Sequence, residues 1–419
     1  MRSTLRSPRL RRILIAFTVN RLGTFFGLLA LLVAVFDHTH SALAVAGLLL
    51  AAQALPAFLV PALVARVEAS VRGRELSGLY FFEAAATAGL AAVLLLHFQL
   101  AAVLVLAAVD GTAALAASAL LRAEVARTAR EQAAAAPGAE SASDEEREIV
   151  AQQAERAANA ALNIAFSATF VTGPVLGGVV VATAGAPAAL FIDVASFLIC
   201  GGLLLDLHPH VEEAGGDTVR ARLRAAWAHV NETPSLRLLL MVDAVALVFF
   251  ESAAPIEVTF AKATLSAGDR GLGLLLTAWG AGAVVGSLVF ARLHRRSLAV
   301  MLGAGALAIA IAYLGFAAAP SLAVACAAAL VGGLGNGVEF PALISVVQEL
   351  TPANLHGRMM GGVESLGALC VAIGLPLGGA LVALSSPRTA FVVVGCGTAV
   401  TAAALLVVAR TGRRPMAGA

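Results

Sequence analysis

Twelve stretches of about twenty mostly apolar residues run through the chain, and no other feature limits so strongly what it can fold into. They lie near residues 13–36, 42–65, 76–96, 100–121, 160–182, 188–206, 236–260, 271–291, 298–318, 321–345, 360–384 and 389–409. A helix rising 1.5 Å per residue needs roughly 20 residues to cross about 30 Å of hydrocarbon. A chain of 419 residues that is 60% hydrophobic and 13% charged, with a mean hydropathy of +0.90, has too little polar surface for a water-soluble domain of this size. The expected fold class is therefore an all-α membrane protein with twelve transmembrane helices. The first run is too long for a signal peptide and has no small-residue cleavage pattern after it, so it is expected to remain in the mature protein.

The net charge of +2 says little, but its distribution says more. Arginines cluster at the N-terminus (Arg2, Arg6, Arg9, Arg11, Arg12), after the second run (Arg66, Arg72, Arg74) and after the sixth (Arg220, Arg222, Arg224). They cluster again after the eighth run (Arg292, Arg295, Arg296) and at the C-terminus (Arg410, Arg413, Arg414). The intervening loops DHTHS, HFQ, TAGAPA and AAAPS carry none. The positive-inside rule then places both ends in the cytoplasm, which requires an even number of spans, and twelve satisfies it. A single lysine, Lys262, against 27 arginines points to a GC-rich bacterial genome, hence to a bacterial cytoplasmic (inner) membrane.

Two polar segments interrupt the apolar pattern. The first, around residues 123–159, carries a Pro137-Gly138 breaker and a capping-box pattern of Ser143 followed by Glu146, which predicts a helix running from there into span five. The second, near residues 208–235, contains a basic amphipathic stretch expected to lie along the inner membrane surface. Together with the spans this gives a six-helix half at 1–206, a linker at 207–235 and a second six-helix half at 236–419. GPVLGGVV at 173–180 is echoed by GLPLGGAL at 374–381, in the fifth span of each half. Six spans return a chain to its starting side, so such halves are parallel repeats about an axis along the membrane normal.

Within the first echo, Pro174 offers no N–H to the carbonyl of Phe170, and Gly173, Gly177 and Gly178 remove side-chain bulk around that gap. The matching glycines of the second half are Gly378 and Gly379. The pattern predicts a bendable, closely packed helix at a moving contact between halves; tight packing alone is the plainer alternative, since Gly and Pro are common in membrane helices.

GPVLGG resembles the core of the antiporter motif in the fifth helix of drug-exporting members of the major facilitator superfamily. HSALAVAGLLLAAQALPAFL, RAANAALN, FIDVASFLICGGLLL, TPSLRLLLM and LTPANLHGRMMGG are similar to stretches of its branch with macrolide and siderophore exporters. The resemblance covers nearly the whole chain. It implies the major facilitator fold, with two six-helix parallel repeats around a central cavity, and export of amphipathic or hydrophobic small molecules in exchange for protons. It implies small-molecule substrate, protons and the lipid bilayer as partners, no nucleic acid, no cofactor, and a protein that works as a monomer. Two departures stand out. Thr169 and Ala160 replace glycines of the longer motif, and the loop motif after span two is reduced to Glu68, Arg72 and Arg74. The counterpart after span eight keeps Gly286, Leu288, Arg295 and Arg296 without an acid. Other readings are an exporter dedicated to a siderophore or another secreted metabolite, and a membrane regulator or assembly partner that does not transport.

An ionised carboxylate in mid-bilayer costs roughly 2.5–3.5 kcal/mol, so acids inside spans face a cavity or a partner. Glu83, Asp110, Asp193, Asp243, Glu251, Glu257, Glu339 and Glu364 fall inside the predicted spans, with Asp110 and Glu251 nearest the midplane. Asp110 is flanked by small residues, and Glu251 precedes Pro255 by one turn, so these two are the expected proton-coupling residues, against a purely structural role. Asn336 and Glu339, a turn apart beside Pro341, form a further polar patch. Asp193 is read as structural, and Asp243 and Glu364 as reaching toward the cytoplasmic surface. Arg21, two turns into span one, either pairs with a cavity carboxylate or reaches the headgroups. The pairs His38/His40 and His208/His210 lack further ligands, so no metal site is expected. GLGNG follows no strand, and no Walker A or zinc-protease helix is present, which leaves no case for an ATPase or hydrolase. The four cysteines, Cys200, Cys326, Cys370 and Cys396, lie inside spans and are expected to be buried.

Overall fold

The computed structural model describes residues 7–59, 75–135, 143–205, 219–293, 297–352 and 355–411. Among the described residues, thirteen helices follow one another: α1 Pro8–Thr39, α2 Ala42–Leu59, α3 Glu75–Leu96, α4 Leu100–Ala134, α5 Asp144–Ala184, α6 Ala186–Leu203, α7 Val219–Glu232, α8 Pro234–Thr264, α9 Gly268–Arg292, α10 Leu298–Ala318, α11 Leu322–Glu349, α12 His356–Leu384 and α13 Pro387–Thr411. All but α7 include a stretch long and apolar enough to cross a bilayer, and no strand occurs among the described residues. The protein is a multi-pass all-α membrane protein. In hydrocarbon every backbone N–H and C=O must be satisfied inside the helix, which is why apolar runs of this length fold this way.

The ends of the helices follow from local chemistry. Ser143 caps α5 in a full capping box, its hydroxyl accepting from the Glu146 N–H while the Glu146 carboxylate accepts from the Ser143 N–H at 2.9 Å. Gly185, at φ 85°, makes the turn from α5 into α6, a conformation that L side chains rarely adopt, and Pro187 starts the next helix where no N–H is needed. Pro174, Pro255, Pro341 and Pro376 sit inside helices that continue past them. Two helices contain a π-helical turn, Leu50–Ala54 in α2 and Phe260–Thr264 at the end of α8, features that no periodicity in the sequence announces.

Contacts divide the chain into two compact units, one of Met1–Leu31 with Pro56–Ala214 and one of Leu32–Leu55 with Gly215–Ala419. The first is cored by Leu10, Ile13, Phe17, Tyr80, Leu121 and Phe197. The second has a core that includes Leu236, Leu240, Met301, Leu302, Val347 and Leu405. Its tightest seam joins α9 to α11. Added side chains at Gly282 and Gly286 would strike the carbonyls of Leu330 and Leu334, and at Gly333 and Gly337 those of Trp279 and Ala283. Two facing G-x-x-x-G pairs let the backbones touch, which replaces the hydrophobic driving force that lipid cannot supply.

All four cysteines are free. Cys200 and Cys370 are buried as expected, but Cys326 is half-buried and Cys396 is exposed, on a face of α13 shared with exposed Val392 and Val400 at four-residue spacing. An apolar residue in a membrane helix has no need to point inward.

At the end of α8 the chain's lone lysine bridges two acids. Lys262 Nζ lies 2.6 Å from Asp37 Oδ1 and 2.7 Å from Asp269 Oδ1, with the ring of Phe36 6.0 Å away. The Lys262 side chain is 10% exposed and that of Asp37 49%, so solvent screens half of the cluster. Lys262→Met is expected to cost about 1 kcal/mol, a fall of about 2 °C in melting temperature. A thermal-shift measurement that finds no change would show the bridge to be energetically idle.

Candidate functional site

The second unit holds a cavity of about 430 Å³ between α8, α11 and α12. Asp243, Leu247 and Glu251 recur every four residues on one face of α8, and Asn336 and Glu339, three apart, share a face of α11. Glu364 of α12 completes a lining that, among the described residues, has four carboxylates and no lysine or arginine, amid Phe250, Phe340 and Met360. Three of the sequence candidates, Glu251, Asn336 and Glu339, are therefore brought together. Asp243 and Glu364 face this same space, a placement that distance from a helix end does not reveal.

Tyr313, which sequence reasoning missed, packs behind the acids. It is 1% exposed, its ring stacks on Trp279 at 5.9 Å between centroids, and its hydroxyl donates to the Phe250 carbonyl at 3.5 Å. It interacts electrostatically with Glu251, Glu257 and Glu339. The one available signal was scarcity: the chain has two tyrosines, Tyr80 and Tyr313.

The glycine motif of the fifth span in this unit touches the helix that carries Glu251. A side-chain carbon at Gly374 would come within 2.7 Å of Glu251 Cβ, and one at Gly378 would strike the Ser252 carbonyl. Gly379 packs on α2, where an added carbon would lie 3.0 Å from Ala46 Cβ and 3.1 Å from the Ala42 carbonyl. In the first unit Gly173 lies against the Phe25 ring and Gly177 against Phe26, with Pro174 and Gly178 buried beside them. These contacts are close helix packing within each unit.

Asp110 is not part of the cavity. It lies in the first unit, accepting a hydrogen bond from the Thr87 hydroxyl at 3.0 Å, with Glu83 in electrostatic range of both it and Asp193. Glu83 is 1% exposed and its Oε1 is without a hydrogen-bond partner. Asp193 accepts from Ser196 at 3.2 Å and fills the space that Gly23 and Gly27 leave open. Arg21 stacks its guanidinium over Phe166, 4.8 Å from the ring centroid, and over Phe25 at 5.8 Å, with its Nε buried and unbonded. Glu68, Arg72 and Arg74, like Arg295, Arg296, His208 and His210, lie outside the described residues. No group of three or more His, Cys, Asp or Glu that could hold a metal occurs among the described residues.

Residues 242–418, which contain nearly all of this lining, match the Major Facilitator Superfamily. The fold of the chain is shared with solved transporters across nearly its whole length. The nucleoside transporter NupG superposes with a TM-score of 0.72 at 12% identity, covering 96% of this chain and 99% of that one. A bacterial homologue of the iron transporter ferroportin gives 0.66 at 15% identity, covering 97% and 99%. Among curated relatives, the chain is similar to the multidrug efflux pump Tap of Mycolicibacterium fortuitum, 28% identical over 237 residues. That match spans 54% of this chain and about half of the pump, 56%.

Proposed function

We propose that this chain is a transporter of the major facilitator superfamily that exports amphipathic or hydrophobic small molecules in exchange for protons, by alternating access, and that it favours those carrying positive charge. The observation that carries the reading is the α8–α11–α12 cavity, with four carboxylates in an apolar lining and, among the described residues, no base to neutralise them. Each ionised acid there has a cost of about 2.5–3.5 kcal/mol, which either a bound proton or a bound organic cation relieves. One site that accepts proton or cation, but not both, is the requirement for exchange. Glu251 and Glu339 are its primary coupling groups and Asn336 a substrate contact; Asp110 and Arg21 act in the first unit as a second charged site.

The match to an efflux pump supports the direction of transport. The open cavity argues against a relative that keeps the fold without transport, since such a chain would fill the space with side chains. In this reading the halves 1–206 and 236–419 are the moving bodies, joined by the linker 207–235, in a bacterial inner membrane with both termini cytoplasmic.

Proteoliposomes holding an internal pH dye test the proposal with a panel of lipophilic cations, macrolides and siderophores. Substrate-dependent proton movement with the cations and macrolides is expected. Movement with a siderophore alone would replace it by the dedicated-exporter reading, and no movement with any compound, from protein shown to be folded, would contradict it.

A further inference from the structure

A second cavity, of about 730 Å³, opens where the linker helix α7 meets α8 and α12. Its floor is apolar, formed by Val230, Met241, Met359 and Leu369 among others, and its polar edge holds Arg224, Arg237, Asn231 and Ser365. Among the described residues, no carboxylate lines it. Arg224 and Arg237 are exposed, and the indole of Trp227 beside them is 69% exposed.

The groove is held open by its own packing. Ala226 and Val230 bury one face of α7 in the core of the second unit, and a side-chain carbon at Gly362 would sit 3.4 Å from Ala226 Cβ. His229 Nε2 lies 3.0 Å from the Leu350 carbonyl at the end of α11. The helix is thus pinned along one side while its Arg224 and Trp227 line the groove. The arginine distribution assigns this end of the spans to the cytoplasmic face.

We infer that this groove binds one anionic phospholipid, with the phosphate held between Arg224 and Arg237 and an acyl chain laid along the apolar floor. Guanidinium forks match phosphate oxygens, and basic pockets between membrane helices on the cytoplasmic side suit acidic headgroups. The edge tryptophan occupies the headgroup level, where indoles concentrate. A zwitterionic lipid would present its ammonium to the same two arginines, so net negative charge is the discriminating feature. The inference is independent of what the acid-lined cavity carries.

The test is native mass spectrometry of the full-length, delipidated protein mixed with equal amounts of phosphatidylglycerol and phosphatidylcholine of the same chain length. Wild type is expected to keep one phosphatidylglycerol per chain and about tenfold less phosphatidylcholine. Arg224→Gln with Arg237→Gln should bring the two lipids level, whereas the double change to lysine should retain the preference. Should the glutamine variant misfold, the wild type decides by competition: excess inorganic phosphate should leave the lipid bound, because the apolar floor contributes as well. Equal retention of both lipids by wild type, an unchanged preference in a folded glutamine variant, or displacement by phosphate alone would overturn the assignment.

Discussion

Glu251→Gln is expected to lower substrate-dependent proton flux by about a hundredfold while leaving the protein folded. The magnitude follows from the cost of an uncompensated carboxylate in hydrocarbon, about 2.5–3.5 kcal/mol, which converts to roughly two orders of magnitude in rate or equilibrium. Glutamine keeps the shape of the side chain, and Gly374 leaves it the same room, but it has no proton to exchange. Glu251 stands four residues before Pro255 and nine before the π-turn Phe260–Thr264, so its helix is interrupted twice on one side. Such interruptions let a helix change shape locally without unfolding. Glu339→Gln, on the facing helix, is expected to act in the same direction with a smaller effect. Dye-loaded proteoliposomes read both. Flux unaffected by either change would remove the coupling role from this cavity and return attention to Asp110.

The largest loss of stability is expected at the α9–α11 seam. Gly337→Val drives a branched side chain into the Ala283 carbonyl, and backbone cannot rotate away as a side chain can. Overpacking of this kind costs about 3 kcal/mol or more. Gly78→Ala is the matched control, because a side chain there meets nothing within 4 Å and alanine favours helix. Size-exclusion chromatography after graded heating should show Gly337→Val aggregating about 6 °C or more below wild type, with Gly78→Ala unchanged. Equal loss from both would mean that the close backbone contact at Gly337 is not what the substitution disturbs.

Much of the architecture was legible because the bilayer punishes exposed backbone. Twelve long apolar runs and the Ser143–Glu146 cap correspond to helices in the structure. The G-x-x-x-G pairs at Gly282/Gly286 and Gly333/Gly337 were visible in the sequence too, although only their three-dimensional pairing reveals which helices they join. The acids were legible as a set, since each breaks an apolar run. Their grouping was not: depth along a span sorted Asp110 with Glu251, whereas lateral packing places Glu251 with Glu339, Asp243 and Glu364. Tyr313 was hidden for the same reason, being an unremarkable ring until packing stacks it on Trp279 and bonds its hydroxyl to the Phe250 carbonyl, next to Glu251 in the chain. The π-turns at Leu50–Ala54 and Phe260–Thr264 have no signature that sets them apart from the apolar helix around them.

The central claim is that proton and substrate compete for one carboxylate-lined cavity. Its most direct measurement is the number of protons released when a lipophilic cation binds the purified protein in weakly buffered detergent solution. The account predicts release of about one proton per cation bound by wild type, and none from the Glu251→Gln, Glu339→Gln double variant. Cation binding without proton release by wild type, or undiminished release from the folded double variant, would contradict it.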